Sequence, residues 1–586
     1  MRQWMVAAKK ADFYAIAEKF HVDPVVARII RNREVIGEKN IRIYLGGNLS
    51  DLSDPHQMKD MDRLVEILAQ KIRKQVHIRI IGDYDVDGVT SSHLFLTALR
   101  RVGAKVDVVI PHRIQDGYGL SLHLLQQAKE DGVDTILTCD NGIAAIDEIA
   151  WAKAQKMTVL VTDHHAVPFE EHEGRRTEKK SLADAVVNPH QQDCGYPYKE
   201  LCGAGVAWNV IRVLYENYDM DKREAEDLLD FVAMATVCDV MSLTGENRIL
   251  VKEGLKRIRH TKNIGLQALM QACNVQPENI SAYHFGYVLG PCVNATGRLD
   301  TARHALRLFE TGQETEAEEI ARDLVDLNQE RKELTLQGVE MAKKLCEEGG
   351  YENDPVLVLF LPDVHESIAG LIAGRIREMY NRPVFVLTRG EEGVKGSGRS
   401  TENYSMYENM CGCAELFTKF GGHPMAAGLS LPEENVEKFR RKINENCPLT
   451  VEEVCPDIHI DMAMPVGYAS TELVHQFALL EPFGKDNPSP LFADRNLSIS
   501  RMWLIGKNRN VLRMSVLSEY GQPVSVIFFG DVETLFAYFT EKFGQEEVEN
   551  ALHGRKNRIL FSMVYTAKID FYQGNENLQL EMKYYR

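Results

Sequence analysis

The chain reads as an α/β protein: a doubly wound parallel sheet, a second α/β lobe beyond a helical connector, and a small C-terminal β-barrel. Three observations carry this reading. Strand-like apolar runs alternate with helical periodicity from about residue 76 and again from 356, the rhythm of parallel sheets with right-handed crossovers. Acid-bearing segments fall where strands should end, the ligand-binding edge of such sheets. After about Asp457 helical spacing gives way to short strands and turns. With 586 residues and ~150 residues per domain, three or four domains are expected.

Residues 1–60 carry helical patterning and are expected to form a lead-in subdomain. Val76 to Ile81 alternates as a strand ending at Gly82-Asp83. Phe95, Leu99 and Val102 then recur at helical spacing, with Gly103 as the stop. Val106–Ile110, Asp134–Cys139 and Thr158–Thr162 are further strands, with a helix over Leu122–Lys129. Residues 166–184 form a charged, solvated loop, and Asp227 to Ala235 is helical. The first lobe is expected to span 61–260 and a helical connector 261–345. In the second lobe, 346–450, Val356–Phe360 and Val384–Leu387 are strands around a helix over Ser367–Tyr380. Lys395–Ser400 is expected as a loop and Gly421–Pro424 as a turn. The barrel takes 451–586.

A hydrophobic fraction of 44% and a charged fraction of 26% are ordinary for a globular protein. No apolar run approaches the ~18–20 residues that span a bilayer. The first residues lack a signal-peptide core, so a cytoplasmic protein without a membrane partner is expected. The cysteines are scattered and form no C-x-x-C; Cys411 and Cys413 are expected to pack on a helix. A net charge of −17 argues against nucleic acid only globally, because a basic groove can occupy a minority of an acidic surface.

The chemistry lies in four segments. Asp83, Asp85 and Asp87 alternate before Gly88, Asp140-Asn141-Gly142 and Asp163-His164-His165 follow later strands, and Asp239 comes after a helix. Acids so close repel unless cations neutralise them. Asp oxygens with a His pair suit two Mn²⁺ or Mg²⁺ ions better than structural zinc. Such two-metal sites hydrolyse phosphate esters. Asp140-Asn141-Gly142 alone is also a common turn, and chemistry alone does not single out Asp239. Ser397 and Arg399 among glycines suit a phosphate clamp, as do Gly421, Gly422 and His423, although a tight turn and a buried histidine remain alternatives. Gly203 and Gly205 do not make a dinucleotide loop, because no strand precedes them and Trp208 stands at the third glycine position; close helix packing is expected instead. On the barrel, Arg501, Trp503, Lys507, Arg509 and Arg513 suit a single-stranded nucleic-acid groove. An ordinary strand face is the alternative.

At these residues the chain resembles the DHH–DHHA1 phosphoesterases, and within them the bacterial exonucleases specific for single strands. The likeness runs through Pro55–Met61, Gly82–Ser92, Gly117–Leu120, Val187-Asn188-Pro189, Gly203–Ala207, Asn294–Arg298, His365–Gly370, Gly396–Ser400, Gly421–His423 and Pro482–Pro488. It implies a DHH lobe and a DHHA1 lobe joined by a long helix, with an OB-fold barrel. It implies two ions held by Asp83, Asp85, Asp87, Asp140, His164 and Asp239, with His165 against the scissile phosphate and Asp163 orienting the neighbouring histidine. Arg298 would contact phosphate near the metals, and Arg113, Ser397 and Arg399 would receive the 5′ end. The implied activity is 5′→3′ hydrolysis of single-stranded DNA to 5′-mononucleotides, in repair and recombination. A monomer is implied, supplied by a helicase and a single-strand-binding protein. The alternatives are a phosphodiesterase of short oligonucleotides or cyclic dinucleotides, and a non-catalytic single-strand-binding scaffold.

Overall fold

The computed structural model describes residues 3–113, 116–117, 119–172, 175–390, 393–506, 509–572 and 574–586. The chain divides into two compact units, Asn48–Pro456 and Gln3–Gly47 with Asp457–Arg586.

The first unit is built on a five-stranded parallel sheet. Its strands are β1 (Ile78–Ile81), β2 (Val106–Val109), β3 (Thr135–Cys139), β4 (Thr158–Thr162) and β5 (Ala185–Val187), in the order β2-β1-β3-β4-β5. β1, β3 and most of β4 are fully buried, which explains their near-continuous apolar runs. Helix α1 (Val86–Arg101) follows β1, with α2 (Gly203–Asn217) and α3 (Leu229–Cys238) packed beside it. Within the expected loop at 166–184, Phe169–His172 and Arg175–Glu178 pair as an antiparallel ribbon.

Helix α4 (Gly290–Leu299) and the 35-residue α5 (Glu314–Glu348) lead to the second lobe. α5 buries Ala317, Ile320 and Leu324 in the first core and Val339, Ala342 and Cys346 in the second. One helix therefore belongs to two cores. The second sheet contains β6 (Leu357–Phe360), β7 (Val384–Gly390), β8 (Gly393–Arg399), β9 (Lys419–His423) and β10 (Ala426–Leu431), ordered β9-β10-β8-β7-β6. Helix α6 (Glu366–Tyr380) packs on it.

Two expectations are corrected here. Lys395–Arg399 is not a loop and Gly421–His423 is not a turn; both lie in paired strands. The reason is packing rather than turning: a Cβ on Gly396 would lie 2.4 Å from Leu387 Cδ2 and 2.9 Å from Leu429 Cδ1. Glycine here marks a strand that neighbouring side chains cross closely. Of the paired cysteines, Cys413 is buried but Cys411 is exposed.

In the second unit, five strands close into a barrel. Phe492–Ile505, Val511–Leu517, Pro523–Phe528, Asn575–Tyr585 and Leu560–Tyr572 pair in that spatial order, and the last pairs back with the first. Closure leaves no free edge among them. The expected lead-in divides: Gln3–Gly47 packs with the barrel, and residues 48–60 with the first unit. Val26, Ile29 and Ile30 share a core with Leu480 and Phe492. Arg33 binds Asp461 through two hydrogen bonds of 2.7 and 3.1 Å, and Trp4–Val6 pairs with Ile458–Ile460. An amphipathic helix needs an apolar partner, and its own sequence does not say where along the chain that partner lies. No helix among the described residues is long and apolar enough to cross a membrane.

Candidate metal centre

Strand order reverses between β1 and β3, and a crevice opens beyond the carboxyl ends of strands at such a point. Asp83 follows β1 and Asp140 follows β3. Three sets of side chains there bring ligand atoms within 4.8 Å of one another: Asp83, Asp85 and Asp140; Asp87, His164 and Asp239; and Asp140, His164 and His165.

Local structure fixes each group. Asp85 caps α1, accepting the Gly88 N–H at 3.0 Å. Asp87, in the first turn of α1, accepts N–H groups from Gly203 at 2.6 Å and Ala204 at 2.8 Å. The positive end of α2 thus holds a carboxylate of the centre. A Cβ on Gly203 would stand 2.6 Å from Asp140 Cβ, so only glycine lets α2 approach this closely. The close packing expected of this glycine is here, and the anion-holding backbone is the part that sequence reasoning missed. Asp140 takes a left-handed φ of 62°, which Asp tolerates better than most residues. Asp239 caps α3 and reaches within 3.6 Å of His164 Nε2.

Asp163 accepts the N–H groups of His164 at 2.7 Å, His165 at 3.0 Å and Ile143 at 2.9 Å. His165 Nδ1 donates to it at 2.8 Å. The ring that Asp163 orients is therefore His165's, and its remaining bonds tie the loop after β4 to the loop after β3.

Burial raises Asp83 and Asp140 well above the usual carboxylate range; the charge of Asp85 adds to the first and that of Asp87 to the second. Asp85 is raised by burial and by Asp87. Burial lowers His164. Burial opposes charge on His165, but Asp163 reverses this and raises it to about 9. Burial works against charge on Asp163, but its hydrogen bonds to His165 and the charges of His165 and His164 together lower it. Among the described residues the buried Asp83 Oδ1 and His164 Nε2 make no hydrogen bond, although His164 Nε2 lies 3.0 Å from Asp140 Oδ1. Oxygen donors with one imidazole, repelling one another and incompletely bonded, fit hard divalent cations.

Across from these acids lies a cavity of about 450 Å³ lined by Tyr84, Arg113, Ser367, Lys395, Ser397, Lys419 and Gly421, among others. Arg113 stacks on Tyr84, 4.8 Å from its ring centroid. Arg298, on α4, donates to Ser367 O at 2.6 Å. Burial lowers it to about 10, and Arg113, Arg331 and Arg399 add to the effect. Arg399 is lowered by burial and by the charges of Arg377 and Arg113. Among the described residues, no carboxylate pairs with Arg113, Arg298 or Arg399. A Cβ on Gly370 would meet Ser397 Oγ at 2.8 Å and Arg399 Nη2 at 3.0 Å, so α6 lies directly over this pair. Gly422 and His423 are exposed and outside the cavity lining, so His423 is not the buried histidine that was the alternative. Sequence reasoning missed Tyr84, Ser367 and Asn294, whose side chain accepts the Val86 N–H at 3.2 Å. A larger cavity, about 880 Å³, is lined by other residues, His93, Phe231 and Phe309 among them.

On the barrel, exposed Arg501 and half-buried Trp503 flank buried Met502, and Trp503 pairs with Arg513 on the next strand. The Arg501 guanidinium lies 5.8 Å from the Trp503 ring centroid. Arg509 is exposed beyond the first strand, and Lys507 lies outside the described residues.

Acids at the switch point of one lobe, faced by guanidiniums from that lobe, from α4 and from the second lobe, define a metal-dependent phosphoesterase. The family models agree: the DHH family N-terminal domain matches residues 77–236, the DHHA1 domain 353–447 and the RecJ OB domain 460–584. A single-stranded-DNA-specific exonuclease RecJ of Haemophilus influenzae is 32% identical over 582 residues, covering 96% of each chain. That of Bacillus subtilis is 33% identical over 512 residues; the match takes in 87% of this chain and 63% of that protein. The crystal structure of RecJ from Thermus thermophilus in complex with Mn²⁺ superposes with a TM-score of 0.81 at 25% identity, over all of this chain and 79% of that one. The chain belongs to the RecJ family of single-stranded-DNA-specific exonucleases.

Proposed function

We propose that this protein is a cytoplasmic exonuclease that removes mononucleotides from the 5′ end of single-stranded DNA, in repair and recombination. One observation carries the reading: carboxylates and imidazoles converge at the sheet's switch point and face guanidiniums that no carboxylate among the described residues neutralises. The first set calls for cations and the second for an anion, and divalent ions with a bound phosphodiester would meet both.

Asp83, Asp85 and Asp140 would hold one Mn²⁺ or Mg²⁺ and Asp87, His164 and Asp239 the other. Bound there, the pair supplies an activated water and neutralises charge on the reacting phosphate. The α2 N-terminus holds the Asp87 carboxylate in place. Asp163 keeps the His165 ring protonated and aimed, so that it offers a positive hydrogen-bond donor to a phosphoryl oxygen. Arg298 neutralises the same charge from α4. Arg113, Ser397 and Arg399 receive the terminal phosphate, a task suited to guanidinium forks. The cavity has the scale of one nucleotide rather than a base pair, which favours an unpaired end. Arg501, Trp503 and Arg513 give the rest of the strand a sequence-tolerant hold. A helicase and a single-strand-binding protein would deliver that strand.

The alternative, a phosphodiesterase of short oligonucleotides or cyclic dinucleotides, gives no role to the barrel. Digestion of one oligonucleotide labelled separately at each end decides the matter. With Mn²⁺ the 5′ label should appear first, as a mononucleotide, and chelation should stop its release. Early release of the 3′ label, or release indifferent to chelator, overturns the reading.

A further inference from the structure

Tyr283 and Tyr287 are 62% and 71% exposed, yet their rings stack on each other, with centroids 5.1 Å apart and planes 22° apart. Buried aromatics supply much of a protein's apolar stabilisation, so two left in water and aligned face to face gain the fold little. His284 stands edge-on to Tyr283. The backbone here is a π-helical turn, Phe285–Leu289, entered from Ala282–His284 and running directly into α4. Such turns are uncommon and gather at functional sites.

The segment is anchored to the metal centre on both sides. Cys238 Sγ donates to Phe285 O at 3.3 Å, and Cys238 is the last residue of α3, immediately before Asp239. Gly286, between the tyrosines, would place a Cβ 3.4 Å from Val237, and Gly290 would place one 2.3 Å from Cys238 Sγ. Downstream, α4 carries Asn294, bonded to the start of α1, and Arg298. Val240, just beyond Asp239, is also 61% exposed and has a left-handed φ of 54°. The rim of the metal centre thus carries an exposed apolar side chain of its own, on the segment to which the tyrosine turn is bonded.

We propose that Tyr283 and Tyr287 form a stacking platform for unpaired nucleobases of the strand cut at the metal centre. This rests on the reading of the protein as a single-strand nuclease. Every base presents a π-face, so the platform grips without sequence preference, and a paired base has no free face to offer. The outer faces of the tyrosine stack are the surface to which a base adds.

The test uses the full chain and an oligodeoxynucleotide carrying 2-aminopurine at successive positions. In an Asp85→Ala background, where cleavage does not erode the signal, binding should quench the probe at one or two adjacent positions. Tyr283→Leu with Tyr287→Leu should abolish that quench, whereas the double Phe variant should keep it. In the otherwise native enzyme with Mn²⁺, the Leu pair should raise KM about tenfold and leave kcat within about twofold, in line with the measured worth of base–aromatic stacking. An unchanged quench and KM in the Leu pair overturns the platform. A quench that depends on the tyrosines, in a protein that releases no nucleotides, supports the platform and overturns the nuclease reading instead.

Discussion

The acid crevice of the first lobe and the arginine cluster beside it pose one electrostatic problem with opposite signs. In the crevice, burial raises the pKa of Asp83, Asp85 and Asp140, and neighbouring carboxylates add to it. Among the arginines, burial lowers Arg298 and Arg399, and the charges of neighbouring arginines add to it. A protein selected only for stability would pair the two sets, since unpaired buried charge is costly. Here they face each other without pairing. The difference teaches where each ligand belongs: cations beside the sheet's strand ends, and phosphate beneath α6.

Removing one acid should have the largest effect. Asp85→Ala is expected to cut Mn²⁺-dependent nucleotide release by at least about a thousandfold, because it empties a ligand position of a two-metal site. Activity within tenfold of the native enzyme would sink the assignment. Gly203→Ala comes next. Its methyl group collides with Asp140 and loosens the hold of α2 on Asp87. Misplacement by ~1 Å can cost ~100-fold, so kcat should fall on that order while Mn²⁺ titration shows weakened binding. Arg399→Ala tests the other side. KM for a 5′-phosphorylated strand should rise about tenfold, the worth of one charge-assisted hydrogen bond, with little change for a 5′-hydroxyl end. An equal loss on both ends would remove Arg399 from the terminal-phosphate role.

The smallest effects are in stability, and they separate the two regions by sign. Folding raises the pKa of Asp83 and Asp140, so the folded protein binds more protons than the unfolded chain once pH exceeds the ordinary carboxylate value. Metal-free protein should therefore lose stability as pH rises from about 4 through the raised values, and Mn²⁺ at pH 8 should restore it. Inorganic phosphate should raise Tm through the arginines, and Arg399→Ala should blunt that rise while leaving the Mn²⁺ effect intact. A Tm indifferent to both ligands would break the comparison.

Much of the crevice was legible because its acids sit in short motifs at strand ends. Asp83, Asp85 and Asp87 announce themselves by spacing, and the order of strands and helices implied where they would meet. Asp239 did not, since an acid after a helix is commonplace and only the packing of α3 brings it to His164. Arg113 and Arg298 were legible by family likeness alone. The glycines of β8 were misread as a loop because glycine serves both turning and close packing, and the neighbours that decide between them, Leu387 and Leu429, are distant in sequence. Residues 3–47 were misassigned for the same reason, their apolar faces being completed by residues beyond 456.

Local patterning by itself determined the alternation of strands and helices, the change to a barrel after Asp457, and the residue types able to bind metal. These depend on hydrogen-bonding period and side-chain chemistry within a few residues. Only the tertiary structure decided that the α2 N-terminus holds Asp87, that His165 is the ring bonded to Asp163, and that three arginines lack carboxylate partners among the described residues. Such facts depend on groups brought together from distant parts of the chain, and packing specifies those encounters where local periodicity does not.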